Sequence, residues 1–208
     1  MVYGFDLRID PGHDINNGPG FRLHLLACCC SATSAKAWSG LICTSWVWIG
    51  RKQTGRSAKH PMGNVTKLPV AQGNGHMRRQ VALSVLLHLP GHEQVIEQPL
   101  SSLVQRAPLF DKMLRACRLG QTSTWLGAFG APTPKPLKLW STSRFMDGLQ
   151  RRRPRVGLAL LSKTVVVWGR KKVTGKHHEL QQSSAYPTAF CKAASSLILR
   201  RLSDEVQL

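Results

Sequence analysis

Residues 76–99 read HMRRQVALSVLLHLPGHEQVIEQP, and this stretch decides the fold class. Apolar side chains recur at helical spacing over 76–89, Pro90-Gly91 stops the helix, and EQVIEQP follows as a short strand ending at Pro99. A helix that feeds directly into a strand is half of a strand–helix–strand unit, and the flanks supply the rest. Upstream, residues 38–43 (WSGLIC) read as a buried strand, followed by a polar, basic loop from Thr44 to about Pro69. Downstream come a helix over 109–118, a strand in TSTWLGAF, a loop GAPTPKP over 130–136 and a returning strand LKLWST. Near the start, VYGFDLR (2–8) reads as a strand broken by Pro11-Gly12. Gly18-Pro19-Gly20 then opens a helix with Phe21, Leu25 and the cysteines on its apolar side. Alternating strands and helices predict an α/β fold with a mostly parallel sheet and helices on both faces. In such folds reacting groups gather at the carboxyl ends of the strands. The expected division is an α/β domain over 1–150 and a basic linker and tail over 151–208. That tail begins at Arg151–Arg155 and holds a strand-like patch over 165–168 and one helix near 185–202.

The chain has 208 residues, room for one domain with a tail, and 42% hydrophobic content, enough for a core. Its 29 Lys and Arg against 10 Asp and Glu give a net charge of +19, which points to DNA, RNA or another polyanion as partner. Drift in a sequence that no longer needs its carboxylates produces the same balance. No Asp or Glu lies between Asp14 and Glu93, so multi-carboxylate hydrolases and two-metal nucleases are poor candidates. Six cysteines, three of them consecutive (Cys28, Cys29, Cys30), suit neither a disulfide framework nor a zinc site. The opening MVYGFDLRID is not a secretory signal, and no apolar run approaches the roughly 18 residues of a membrane span. The expectation is a soluble protein of a reducing compartment, with no membrane partner and no metal.

Three strand-to-loop junctions carry candidate chemistry. The first is Cys43-Thr44-Ser45-Trp46-Val47-Trp48, where a thiol at a strand end with basic residues downstream is placed as a nucleophile, or sits in the core as a small hydrophobe. The second is Glu97-Gln98-Pro99, whose carboxyl group either donates a proton from a partly apolar cleft or pairs with Arg78 or Arg79. The third runs from Gly130 to Lys138, a Pro-stiffened loop that presents Lys135 and Lys138 to phosphate, or a solvated connection.

In this order the junctions resemble those of the cytosine-5 DNA methyltransferases and their S-adenosylmethionine-dependent relatives. Ile42-Cys43-Thr44 stands for the Pro-Cys-Gln loop, Glu97-Gln98-Pro99 for Glu-Asn-Val, and Gly130–Lys135 for the Gly-x-Pro-x-x-Arg-x-Arg hairpin. More specifically, DINNGPGF, CTSWVW, VIEQPLSSL, FGAPTPKPLKLWST and SSAYPTAF are similar to blocks, in the same order, of a large set of uncharacterised proteins expanded in dinoflagellate algae.

The methyltransferase resemblance implies a partial Rossmann-like sheet, with Cys43 attacking carbon 6 of an extruded cytosine and Glu97 protonating ring nitrogen 3. Lys135 takes the place of the first hairpin arginine and Leu137 that of the second, while Asp6 or Asp14 would contact the cofactor ribose. No Phe-x-Gly-x-Gly loop precedes residue 40, so the first strand and its glycine turn are expected to be missing, and QGNG (72–75) does not replace them. The expected function is a degenerate methyltransferase-like domain, inactive but in contact with nucleic acid. One alternative is a non-enzymatic basic module binding DNA or RNA through Arg51, Lys52, Lys135, Lys138, Arg151, Arg152 and Arg153. In that module the 52–67 loop and Arg170–Lys172 add charge, with Trp46, Trp48 and Trp168 as stacking rings. Further alternatives are an active methyltransferase using S-adenosylmethionine and a fragment that does not fold stably.

Overall fold

A computed structural model describes residues 10–30, 35–154, 162–167, 170–175 and 185–206. The helices are α1 (Gly18–Cys29), α2 (Arg51–Thr54), α3 (Leu68–His88), α4 (Pro108–Ala116) and α5 (Thr188–Val206). The strands are β1 (Lys36–Gly40), β2 (Glu93–Pro99), β3 (Gly120–Trp125), β4 (Pro136–Ser141), β5 (Ser162–Val167) and β6 (Arg170–Gly175). Two compact units are formed, one drawn from Met1–Gly120 with Trp140–Ser143, the other from Gln121–Leu139 with Arg144–Leu208.

Local chemistry explains most boundaries. Asn17 caps α1, its Oδ1 accepting from Gly20 N at 2.6 Å, and Pro19 sits in the first turn, where its missing N–H costs nothing. Pro69 opens α3 in the same way, so the helix begins at Leu68 rather than at His76. Gly73 and Gly75 lie inside it. Each interior glycine costs about 1 kcal/mol relative to Ala. At Gly73 that cost is offset by close approach: an added Cβ would lie 2.3 Å from Ser45 Oγ and 3.3 Å from Trp46 Nε1. Pro108 opens α4, which turns Phe110 and Met113 inward while Lys112 and Arg115 stay exposed. Burying those two side chains contributes about 2 kcal/mol each.

The fold is α/β, as expected, but the sheet is mixed rather than mostly parallel. Its order is β1-β2-β4-β3; β1 and β2 form a parallel pair and the remaining pairings are antiparallel. The segment between β1 and β2 contains α3, long enough for a parallel crossover. Residues 126–135, between β3 and β4, are fewer than the dozen or so that a crossover requires, so β4 returns as a hairpin. β2 is buried along nearly its whole length although four of its seven residues are Glu or Gln, and buried Gln94 and Gln98 spend their amides on Ser84 O and Leu41 O. β5 and β6 pair antiparallel in a separate two-stranded sheet, where the sequence indicated a single patch over 165–168. β1 also stops at Gly40, short of the expected Cys43.

In the first unit, Trp46, Met77, Ile96, Phe110 and Trp140 anchor one hydrophobic cluster, with Phe110 edge-on to Trp140 at 5.3 Å. α1 packs on α3. There His76 is buried, and its Nδ1 and the Oδ1 of Asn16 lack hydrogen-bond partners.

Candidate functional site

The β1–β2 ladder runs in register from Lys36 opposite Glu93 to Gly40 opposite Glu97. An ion pair, Lys36 Nζ to Glu93 Oε2 at 2.8 Å, closes the amino end. At the carboxyl end a Cβ added to Gly40 would lie 3.8 Å from Glu97 Oε2, so the buried Glu97 carboxyl group leans over a residue without a side chain. Beyond Gly40 the backbone ladder gives way to side chains: Gln98 Nε2 donates to Leu41 O at 2.7 Å, and Ser102 Oγ donates to Gln98 Oε1 at 2.9 Å. Cys43, half-buried, starts the next turn, its carbonyl accepting from Trp46 N at 2.8 Å and Val47 N at 3.2 Å. The topology therefore brings the chain positions of Cys43 and Glu97 to the same edge of the parallel pair.

The turn after Cys43 is fastened to its surroundings. Leu103 N donates to Trp46 O at 2.9 Å, Trp48 N donates to Ser101 O at 3.2 Å, and Val47 bridges Ser102. Trp46 is fully buried with the Arg56 guanidinium carbon 3.4 Å from its ring centre, and its Nε1 donates to Gly73 O at 3.3 Å. Arg56 Nη2 donates to Ser45 Oγ (3.0 Å), Val70 O (3.3 Å) and Asn74 Oδ1 (2.9 Å), and Nη1 donates to Pro61 O at 2.6 Å. Every one of these acceptors is neutral. Burial lowers the Arg56 pKa to about 10, which leaves it charged at neutral pH.

Trp46 is thus a core residue and offers no stacking face, which corrects its place among the expected rings. Trp48 is different: 46% exposed, it lies under Arg51 with the guanidinium carbon 4.2 Å from the ring, and Arg51 Nη1 donates to Trp48 O at 3.1 Å. Lys52 beside it is exposed. Sequence reasoning does not single out Arg56 or Gly73. The one available signal is the carboxylate-free run from 15 to 92, which obliges any buried cation there to use neutral acceptors.

The remaining candidates separate. Asp14 closes a local turn, its Oδ1 accepting from Asn16 N at 2.8 Å. In the second unit Lys135 has φ 29° and its ammonium lies 5.6 Å from the Tyr186 ring. Lys138 is only 4% exposed. It belongs to β4 and not to the projecting loop, so the expectation that it meets phosphate is corrected. Arg151, Arg152 and Arg153 are exposed. Arg170–Lys172 falls in β6. Asp6, Arg155 and Trp168 lie outside the described residues.

No family model, curated protein or solved structure matches the chain. Among the described residues no group of three or more His, Cys, Asp or Glu side chains could hold a metal ion, and no helix is long and apolar enough to cross a membrane.

Proposed function

We propose that the chain is a degenerate methyltransferase-like domain of the S-adenosylmethionine-dependent class, with a partial Rossmann-like sheet, that contacts DNA or RNA without transferring a methyl group. The observation that carries this reading is the register of the parallel pair, Gly40 opposite Glu97, which sets the Cys43 turn and the Glu97 carboxyl group at one edge. The exposed Trp48, the half-buried Arg51 over it and the exposed Lys52 follow Cys43 in the same connection and supply a cation and a ring for a phosphate and a base.

The described residues do not fit the cofactor. Asp14 spends a carboxylate oxygen on its own turn. The space left by the missing side chain of Gly20 is filled by the Asp14 carbonyl, 2.2 Å from where a Cβ would stand. Gly73 and Gly75 are interior to α3 and face Ser45, Trp46, Arg56, Asn16 and Arg79 of the same chain. These glycines serve internal contacts and form no cradle for a methionine moiety.

Calorimetry of the full chain with S-adenosylmethionine tests the loss of the site; the expected result is no micromolar binding, and clean binding would overturn it. A 5-fluorocytosine oligonucleotide tests the chemistry. No covalent adduct is expected, whereas an adduct abolished by Cys43→Ser would establish an active enzyme. Titration with labelled DNA and RNA tests the contact: binding should weaken steeply with salt and fall with Arg51→Gln plus Lys52→Gln.

The second reading, a basic binding module unrelated to methyltransferases, is favoured by the same Trp48–Arg51 pair together with the net charge of +19. It differs in one outcome. There Cys43→Ser and Glu97→Gln leave oligonucleotide affinity untouched, whereas a retained nucleobase edge loses affinity with both.

A further inference from the structure

Cations lying over aromatic rings recur in the unit drawn from 121–139 and 144–208. Arg153 has its guanidinium carbon 5.8 Å from the Trp125 ring, Arg151 has its own 5.2 Å from Phe129, and Lys135 Nζ lies 5.6 Å from Tyr186. The rings are linked beneath them: Phe190 is edge-on to Phe129 at 5.2 Å, and Tyr186 stacks on Phe190 at 5.4 Å. Arg151, Phe129, Phe190, Tyr186 and Lys135 therefore form one contiguous patch. Trp125 lies just before the turn that carries Phe129.

The Arg151 side chain and the Lys135 backbone are held in place. Arg151 Nη1 donates to Gly148 O at 3.0 Å and Gln150 O at 2.8 Å, which leaves the Nη2 and Nε hydrogens for a ligand. Lys135 sits in the left-handed region at φ 29°, a strained setting for a lysine, and the rungs Leu126 N to Lys135 O and Gly127 N to Pro134 O, both 3.2 Å, keep it there. Charge complementarity names the partner class. The unit's stretches carry 15 Lys and Arg against four Asp and Glu, and one of the four, Asp147, accepts from Thr122 Oγ1. Arg152 and Arg153 are exposed beside Arg151.

We infer that this patch binds single-stranded nucleic acid, deepening the nucleic-acid part of the proposed function and resting on it. Arg151, Arg153 and Lys135 anchor phosphates, and the half-buried Trp125 takes an unstacked base. A guanidinium already lying over a ring presents its outer face to a base, and its orientation is set before the ligand arrives. A duplex keeps its bases stacked inside and gains only the phosphate contacts.

The test uses the full chain and fluorescence anisotropy with labelled dT and U oligonucleotides of roughly 12 nucleotides, within the usual span of single-strand sites. A duplex of the same length and vesicles containing anionic lipid complete the set. Single strands should bind at least tenfold tighter than the duplex. Three phosphate anchors give a log–log salt slope near −2, or about a twentyfold loss from 50 to 200 mM salt. Arg151→Gln plus Arg153→Gln should cost tenfold or more, and Arg151→Lys plus Arg153→Lys should recover only part, since an ammonium lacks the planar stacking face. Equal affinity for duplex or vesicles, or full recovery by the lysine pair, overturns the inference. Binding that ignores both pairs but falls with Arg51→Gln plus Lys52→Gln also overturns it while the proposed function stands. No binding to any nucleic acid removes both.

Discussion

Acidification provides a direct test of the α1–α3 contact through His76. Burial pushes this imidazole from its ordinary 6.5 down to about 4; the nearby Asp14 carboxylate opposes the shift, and His24 and Arg79 reinforce it. The native state therefore holds His76 neutral over a range in which the unfolded chain takes up a proton. Because the folded value lies below the unfolded one, the full stability is present above about pH 6.5, falls as the pH drops towards 4, and levels off below that. The gap between 6.5 and about 4 corresponds to roughly 3 kcal/mol. His76→Leu replaces a buried ring whose Nδ1 has no partner with an apolar side chain of comparable size, so near pH 7 it should change stability by about 1 kcal/mol or less. Urea unfolding of both proteins near pH 7 and near pH 4 gives the comparison. Other groups titrate in both proteins and cancel. The wild type should lose about 3 kcal/mol more than the variant, a midpoint difference of roughly 1.5 M for a slope near 2 kcal/mol/M. Parallel losses would refute the reasoning, since they would mean that His76 takes its proton without leaving its burial site.

Arg56→Met strips the donor from Ser45 Oγ, Asn74 Oδ1 and the carbonyls of Pro61 and Val70, and should cost about 3–5 kcal/mol in chemical unfolding. Arg56→Lys should recover less than half, because one ammonium cannot serve acceptors spread around a planar fork. Gly73→Ala should destabilise by about 1–3 kcal/mol despite the better helix propensity of alanine, and Ser45→Ala in the same chain should return part of that loss, read as a change in unfolding midpoint. Cys117 is 2% exposed and burial raises its thiol pKa, so a thiol reagent should label the exposed Cys29, Cys30 and Cys191 first and reach Cys117 only with unfolding. Mass mapping of the labelled sites at short times checks the order.

Much of the element order can be read from punctuation by proline and glycine. Glu93–Pro99 stands as the sequence reads it, because Pro90-Gly91 and Pro99 bracket a run with no competing helical pattern. The start of α3 is harder to see: two glycines within eight residues of Pro69 suggest a loop, and only the contact of Gly73 with Ser45 explains why a helix tolerates them. The direction of β4 is hidden for another reason. Alternation of strands and helices reveals crossovers, and a return through the single 3-10 turn Leu126–Phe129 and Gly130 at φ 86° contains no α-helix to reveal. At the candidate site the parallel direction of β1 and β2 follows once the crossover is known, but the register does not, and β1 ends at Gly40, three residues before Cys43. Trp46 and Trp48 look alike in the string CTSWVW. One is sealed under Arg56 and the other left open beside Arg51, a difference set by side chains 10 residues away in one case and 3 in the other.

The connection leaving β1 is moored at successive points, by Ser101, Ser102 and Leu103 on one flank and by Arg56 and Gly73 on the other. A segment tethered so often has no hinge with which to swing over a visitor. Under the proposed function, a nucleic acid arriving there would meet a preset mould, and its capture is expected to proceed in one step at a rate governed by encounter and ionic atmosphere. The slow second phase that marks a closing flap has no moving part here from which to arise.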